Sequence, residues 1–327
     1  MSRYAWKERT WDGAPTLVLI DRDAEIEVEI VPSVGFNLFR YEVQGEPYIA
    51  APSTLAELRA ATSRYGVPIL CPPGRVRNGS YTFEGREYRL PINREPDHAH
   101  GQLRDQAWHL VERGANETDG AYAMAVLKPA QVPDVRPYWP HHTELRLIYR
   151  VRNGELLLEG SIHNRSAETM PLALGFHPYF AVGKEEAART RVVLPAAREW
   201  PLGPDGFAAG PPQPSALSDA LRSGVAVTEL PAYPGGSQMF SLAPEGGVGE
   251  VRYGARGTRL VFAFGDRFPI HVLFTAPWTG AVSLEPYTAI MNAFNEPWPA
   301  EMTGAQGLKA GETFRFGWSL RVEPWSE

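Results

Sequence analysis

A chain of 327 residues with 43% hydrophobic and 11% aromatic content has enough apolar material to bury a large core. Its 31 glycines and 30 prolines make it turn-rich without the composition of low-complexity disorder. The formal net charge of -6, with both signs interspersed, offers no basic stripe to a phosphodiester backbone, so nucleic acid is excluded as an expected partner. The single cysteine, Cys71, excludes an intrachain disulfide and a thiolate metal cluster.

The first residues, MSRYAWKER, lack the apolar core of a secretion signal, and no run of some eighteen apolar residues follows. A cytoplasmic protein without membrane association is the expectation. Residues 25–30, EIEVEI, alternate with period two, which predicts a strand with its glutamates in water and its aliphatic side chains in the core. A helical period appears only at 54–63, TLAELRAATS, where Leu55, Leu58 and Ala61 share a face. Cys71, in PILCPP, reads as a small buried hydrophobe. Asn78-Gly79 and Glu84-Gly85 mark reversals around YTF, and Asn153-Gly154 predicts a tight hairpin between ELRLIYRV and ELLLEGSI. The stretch 200–214, WPLGPDGFAAGPPQP, is the longest irregular segment, a surface loop able to wall a site. Residues 313–322 put Phe314, Phe316, Trp318, Leu320 and Val322 on one face of a closing strand. Strands without interleaved long helices predict an all-β fold, antiparallel sheets packed face to face in a large β-sandwich. No linker divides the chain, so 1–327 reads as one domain.

No Walker sequence, dinucleotide fingerprint, HExxH or GxSxG elbow occurs, so the chemistry must come from dispersed groups. Two of the eight histidines stand in unusual settings, His100 in DHAHGQLRDQAW and His177 in LALGFHPYF. Pro178 cannot donate to a sheet ladder, so His177 reads as closing a strand, either open to a cavity or satisfied in the core by a carbonyl. Glu285 closes AVSLEP in the same way, either paired inside or facing water at a strand end. One group able to donate a proton and one able to accept it are what a general acid and base pair requires. Arg75 and Arg77, in PPGRVRNG, read first as solvated charges.

The segments PILCPPGRVRNGSYTFEGREYRLPIN (68–93), HAHGQLRDQAW (98–108), PLALGFHPYF (171–180) and VSLEPYTAIMNAFN (282–295) together resemble the aldose 1-epimerase, or galactose mutarotase, family and fall in its order. The resemblance extends from about Val34 to the strand ending at 322. It implies a galactose mutarotase-like supersandwich and an isomerase acting on a monosaccharide. In such enzymes the histidine matched by His177 protonates the ring oxygen, and the glutamate matched by Glu285 takes the proton of the anomeric hydroxyl. His100 and Arg75 match residues that hold sugar hydroxyls, with Arg77 as the alternative arginine. For the family's binding aspartate the choice is Asp219, in ALSDALRSG, and the fallback is Asp205. Departures are Gly74 where an asparagine often stands, Cys71 in place of an aromatic, and Asn292 where an aspartate is common. The reaction needs neither metal nor organic cofactor, so His98, His141 and His142 are expected not to be ligands. Trp278 and Phe180 are candidates to line the sugar site. A monomer or homodimer is expected. Three alternatives stay open: a hexose-phosphate epimerase using Arg75, Arg77 and Arg104, a sugar-binding protein without turnover, and a glycoside hydrolase, which needs a second carboxylate.

Overall fold

The architecture, taken from a computed structural model, is described for residues 2–244 and 247–326. Among the described residues, three sheets of five or more strands carry the fold, and every strand pair in them is antiparallel. A five-stranded sheet follows chain order from Tyr4–Trp11 to Glu46–Pro47. A nine-stranded sheet starts with four consecutive strands, His109–Asn116, Gly120–Leu127, Thr143–Arg152 and Glu155–Asn164. The C-terminal strand Thr313–Pro324 lies beside the last of these and joins them to Thr258–Ala263, Val248–Tyr253, Thr190–Val193 and Val225–Ala226. The third sheet has six strands in the order Ala196–Trp200, Ser237–Leu242, Ile270–Thr275, Val282–Tyr287, Gly175–Phe176 and Ile69–Leu70.

One apolar core joins the sheets. It takes Leu19 and Ile30 from the first, Leu147, Leu158 and Trp318 from the second, and Phe240, Leu273 and Leu284 from the third. The fold is therefore the large antiparallel sandwich that the period-two runs predict, with side chains interdigitating between sheet faces. Phe316, Trp318 and Leu320 are buried in the closing strand, and Phe314 and Val322 pack half-buried at its ends. Asn153 and Gly154 take φ of 53° and 78°, the two left-handed positions of a tight hairpin whose flanking residues Arg152 and Glu155 pair. The helix covers Leu55–Ala60 only, with the Thr54 hydroxyl capping Glu57 N and with Leu55 and Leu58 buried; at Ala61 the backbone leaves the helix. One expectation is corrected in strand Ile26–Val31. Glu29 is not in water but fully buried, its carboxylate held by Arg9 at 2.9 Å, Arg40 at 2.6 Å and the Thr16 hydroxyl at 2.6 Å. Among the described residues no helix is long and apolar enough to cross a membrane.

The six-stranded sheet positions the site by simple alternation. In Val282–Tyr287, Val282 and Leu284 enter the main core, while Ser283, Glu285 and Tyr287 project from the opposite face. The neighbouring strand pairs Val272 with Glu285 and Phe274 with Ser283, so these apolar side chains floor the same face.

Candidate active site

A cleft of about 860 Å³ opens over that face, lined in part by His100, His177, Glu285 and Arg75. The strand continues through Pro286, which pairs with His271, to Tyr287, so Glu285 is internal to it and 2% exposed. Neither a strand end nor water receives its carboxylate. Tyr287, two residues on and on the same face, donates its hydroxyl to Oε2 of Glu285. His177 leaves the strand Gly175–Phe176 with its N–H on the Pro68 carbonyl, and its ring enters the cleft. Its Nε2 lies 3.1 Å from Oε1 of Glu285, and its Nδ1 lies 2.9 Å from the Ser283 hydroxyl. The Tyr179 ring stacks on the imidazole at 4.3 Å between centroids, and its hydroxyl stands 3.1 Å from Nε2 while donating to the Ser63 carbonyl at 2.6 Å.

His100 comes from a different part of the chain and meets His177 edge to face, with 5.6 Å between centroids. Its φ of 65° is in the left-handed region, and its N–H is held by the Gly74 carbonyl at 2.8 Å. Gly101 follows because a Cβ there would run into the backbone of Cys71, with which it bridges. Nδ1 of His100 is buried without a hydrogen-bond partner among the described residues. Burial holds His100 well below the usual histidine range and pushes His177 down to about 3. Burial also raises Glu285 well above the carboxylate range, opposed by the Tyr287 hydrogen bond. The pair is thus driven towards sharing one proton between Nε2 and Oε1, without a net charge.

Arg75 lines the cleft with its guanidinium 3.7 Å from Asp97 and over the Phe207 ring. Arg77 points away, paired at 3.0 Å with Asp205, and borders an adjoining hollow of about 450 Å³. The structure does not bring Asp219 to the site. It sits exposed on the short helix Ala216–Leu221, paired with Arg222 at 2.5 Å, because only the opposite face of that helix, with Ser218 and Leu221, is buried. Asp205 lies closer, in the loop whose Gly203 and Gly206 wall the cleft. Trp278 lines the cleft, whereas Phe180 is fully buried against Phe262 in the core. Asn292 is buried and accepts the Arg77 N–H at 3.1 Å, shaping the arginine-bearing segment from behind. Cys71 is buried, and burial pushes its thiol up to about 12. Sequence reasoning missed Tyr179, Ser283 and Tyr287. The signal was available in the two-residue spacing of SLEPY and HPY, which sets each partner on the face of its histidine or glutamate.

The family model described as aldose 1-epimerase matches residues 16–320. Galactose mutarotase of Rattus norvegicus is 27% identical over 164 residues, 49% of this chain and 45% of the relative. The uncharacterized protein YihR of Escherichia coli is 27% identical over 169 residues, 51% of each chain. The matched segment spans about half the length of these curated relatives. Among solved structures, a galactose mutarotase-like protein from Clostridium acetobutylicum superposes with a TM-score of 0.90 at 22% identity, covering 98% of this chain and 99% of the other. Galactose 1-epimerase from Lactobacillus acidophilus gives a TM-score of 0.79 at 16% identity, covering 99% and 100%. At such identities the likeness establishes the fold, and the family follows from a model match that runs through all four segments supplying or flanking the cleft: this chain belongs to the aldose 1-epimerase family.

Proposed function

We propose that this protein is an aldose 1-epimerase that interconverts the α and β anomers of a monosaccharide by general acid and base catalysis. The observation that carries the reading is the 3.1 Å approach of His177 Nε2 to Glu285 Oε1 at the base of an open cleft. A cyclic aldose needs one proton removed from its anomeric hydroxyl and one delivered to its ring oxygen, and these two oxygens share the carbon C1. Groups that act on neighbouring oxygens must themselves be neighbours. In the productive state Glu285 is the carboxylate and His177 the imidazolium, with Ser283 accepting from Nδ1–H and fixing which nitrogen faces the sugar. Transfer of both protons opens the ring; after rotation about C1–C2, reclosure gives the other anomer as His177 takes back the proton of the C5 hydroxyl and Glu285 returns its proton to the oxygen on C1. His100, with its free Nδ1, and Arg75 hold hydroxyls. Each positioned proton-transfer group contributes about 10²- to 10⁴-fold.

A hydrolase would need a second carboxylate across the cleft from Glu285. Asp105 is the other acidic residue of the lining, and it is engaged by the Thr62 hydroxyl. The test is proton NMR of freshly dissolved α-glucose and α-galactose, with and without protein. Anomer exchange should accelerate, and Glu285→Gln, which keeps the shape of the side chain but cannot take the proton, should lose at least about 10²-fold. Undiminished exchange by Glu285→Gln would remove Glu285 as the base.

A further inference from the structure

Nothing polar fixes the guanidinium of Arg75 in the cleft. Asp97 stands 3.7 Å away, beyond hydrogen-bond reach, and no other group among the described residues bonds to it. A long side chain held so loosely would lose its rotamer freedom each time a sugar bound, and that loss would be subtracted from affinity. Two surfaces close on it instead. Its Cζ lies 4.8 Å from the centroid of the Phe207 ring, and the backbone of Gly206 comes so near that a Cβ there would run into a terminal nitrogen of the guanidinium.

Both surfaces belong to one loop tip. The segment 200–214, irregular in sequence, folds as a narrow hairpin: Glu199 and Gln213 exchange both backbone hydrogen bonds, Ala209 donates to the Pro201 carbonyl at 2.8 Å, and Leu202 pairs with Ala208. The tip is closed by the Gly206 N–H on the Gly203 carbonyl and by the Gly203 N–H on the Phe207 carbonyl, each at 2.8 Å. One oxygen of Asp205 accepts the Phe207 N–H at 3.2 Å, and the other accepts from Arg77 at 3.0 Å, which ties the tip to the segment that carries Arg75. Gly206 takes a φ of 77°, the left-handed conformation that suits glycine. Phe207 is 2% exposed although it stands on a loop, and the guanidinium of Arg77 covers it too, 4.2 Å from the ring centroid. Leu202 and Ala208, on the two sides of the tip, pack against the cluster of Trp200 and Met239. The tip is therefore a fixed wall.

We propose that Phe207 and Gly206 are positioning residues for sugar binding, the hairpin tip holding the Arg75 guanidinium in place while leaving its N–H groups to sugar hydroxyls. The inference rests on the reading of Arg75 as a residue that holds hydroxyls in the epimerase. A carboxylate bonded to Arg75 would fix it as well, but it would consume the donors that the sugar needs. Contact with an aromatic face uses the positive charge and spends no N–H, and Asp97 at 3.7 Å balances that charge without bonding to it.

The experiment is a double-mutant cycle, read as anomer exchange of whichever of glucose and galactose the wild type handles better. Phe207→Leu keeps an apolar filling but loses the ring face, and it should raise KM about threefold to thirtyfold while changing kcat by less than about twofold. Gly206→Ala puts a methyl group where the guanidinium lies and should raise KM in the same way. Arg75→Ala should itself lose about tenfold to a hundredfold in kcat/KM. Made in Arg75→Ala protein, the other two substitutions should add less than about twofold to that loss, because the group they position is gone. A merely structural role is indifferent to Arg75. Equal losses in the two backgrounds, or a fall in kcat at unchanged KM, would therefore overturn the proposal. Calorimetric titration of the same sugar into Glu285→Gln protein gives the same cycle in affinity, without turnover. A cycle that holds in affinity while the wild type exchanges no anomers would leave the positioning role standing and remove the epimerase reading instead.

Discussion

At Glu285 burial and hydrogen bonding pull in opposite directions, and the balance sets the pH range in which the pair can work. Adding a second proton to the pair makes a buried imidazolium beside a neutral acid; removing the only one leaves a buried carboxylate beside a neutral ring. Both carry net charge and both are disfavoured by desolvation, so the single-proton state extends in each direction beyond the interval from about 4.3 to about 6.5 set by the free side chains. The plot of kcat/KM against pH is therefore expected to be a broad bell. Tyr287 donates to the carboxylate and stabilises its charged form. Tyr287→Phe keeps the ring and removes that donor, which is worth about 1.5 to 3 kcal/mol when the acceptor is charged, or about one to two pH units. With the carboxylate less stable, its proton is lost only at higher pH. Because burial depresses His177 and raises Glu285, loss of the carboxyl proton forms the alkaline limb, so that limb should move up by about that amount while the acidic limb, which reports protonation of the imidazole, moves less. An alkaline limb that stays in place in Tyr287→Phe would show that the hydroxyl does not tune the base. The sequence shows Glu285 and His177 as residues in odd settings, but it shows nothing of the environment that shifts them, because their partners act through space.

The strand Ile26–Val31 makes the same point for elements. Alternation alone puts Glu29 in water, and alternation is correct about the face; what it misses is that neighbouring strands cover that face with arginine. Arg9 reaches Glu29 from Tyr4–Trp11, and Arg40 from Asn37–Val43. Removing Glu29 leaves Arg9 with Glu27 and Arg40 with Glu42, both arginines partly in water, but strips the buried Thr16 hydroxyl and the two arginines of a hydrogen-bonded carboxylate, so Glu29→Ala should destabilise the protein by about 1.5 to 3 kcal/mol in urea unfolding. Arg9→Ala and Arg40→Ala should cost less, since each leaves Glu29 one arginine and these side chains are partly in water. A loss below about 1 kcal/mol for Glu29→Ala would mean that the group is solvated in the protein as it exists in solution. Hairpins written in local chemistry, such as Asn153-Gly154, are legible because positive φ is a property of the turn itself. Asp219 was misplaced for the opposite reason. Its segment was matched to the family's binding aspartate by resemblance alone, but a Ser215 cap and the apolar face of Ala216–Leu221 turn its carboxylate outward to Arg222.

Over the whole molecule, the sandwich is legible because its signal repeats in every strand, whereas the cleft exists only once residues 59–64, 74–75, 99–105, 177 and 285 have been brought together from separate sheets and loops. The same closure buries histidines that the active site does not need. His271 projects into the core beside Phe264, with both ring nitrogens unpartnered among the described residues, and burial holds it down at about 3. His98 is fully buried and held down at about 4, burial outweighing its hydrogen bond to the Pro91 carbonyl. His177 is held down as well, but the raised Glu285 beside it keeps one proton on the pair, as many as the pair holds unfolded between about 4.3 and 6.5, so it adds nothing to the slope there. In the unfolded chain His271 and His98 titrate near 6.5. A depressed native pKa means that the stabilisation is complete above the unfolded value and is lost as pH falls towards the folded one. Between about pH 6.5 and 4 the unfolded state therefore holds protons that the native state refuses, and stability falls by about 1.4 kcal/mol per pH unit for each histidine. Urea unfolding at pH 7 and pH 5 should show a loss with acidification well before the carboxylates titrate. His271→Phe and His271→Leu should each reduce the drop between those two pH values by about 2 kcal/mol, the share of one histidine from 6.5 down to 5. Whatever either substitution costs in packing applies equally at both pH values and cancels from the difference. If the variants lose stability in parallel with the wild type, His271 is protonated in the native core or reached by water, and the burial described for it is wrong.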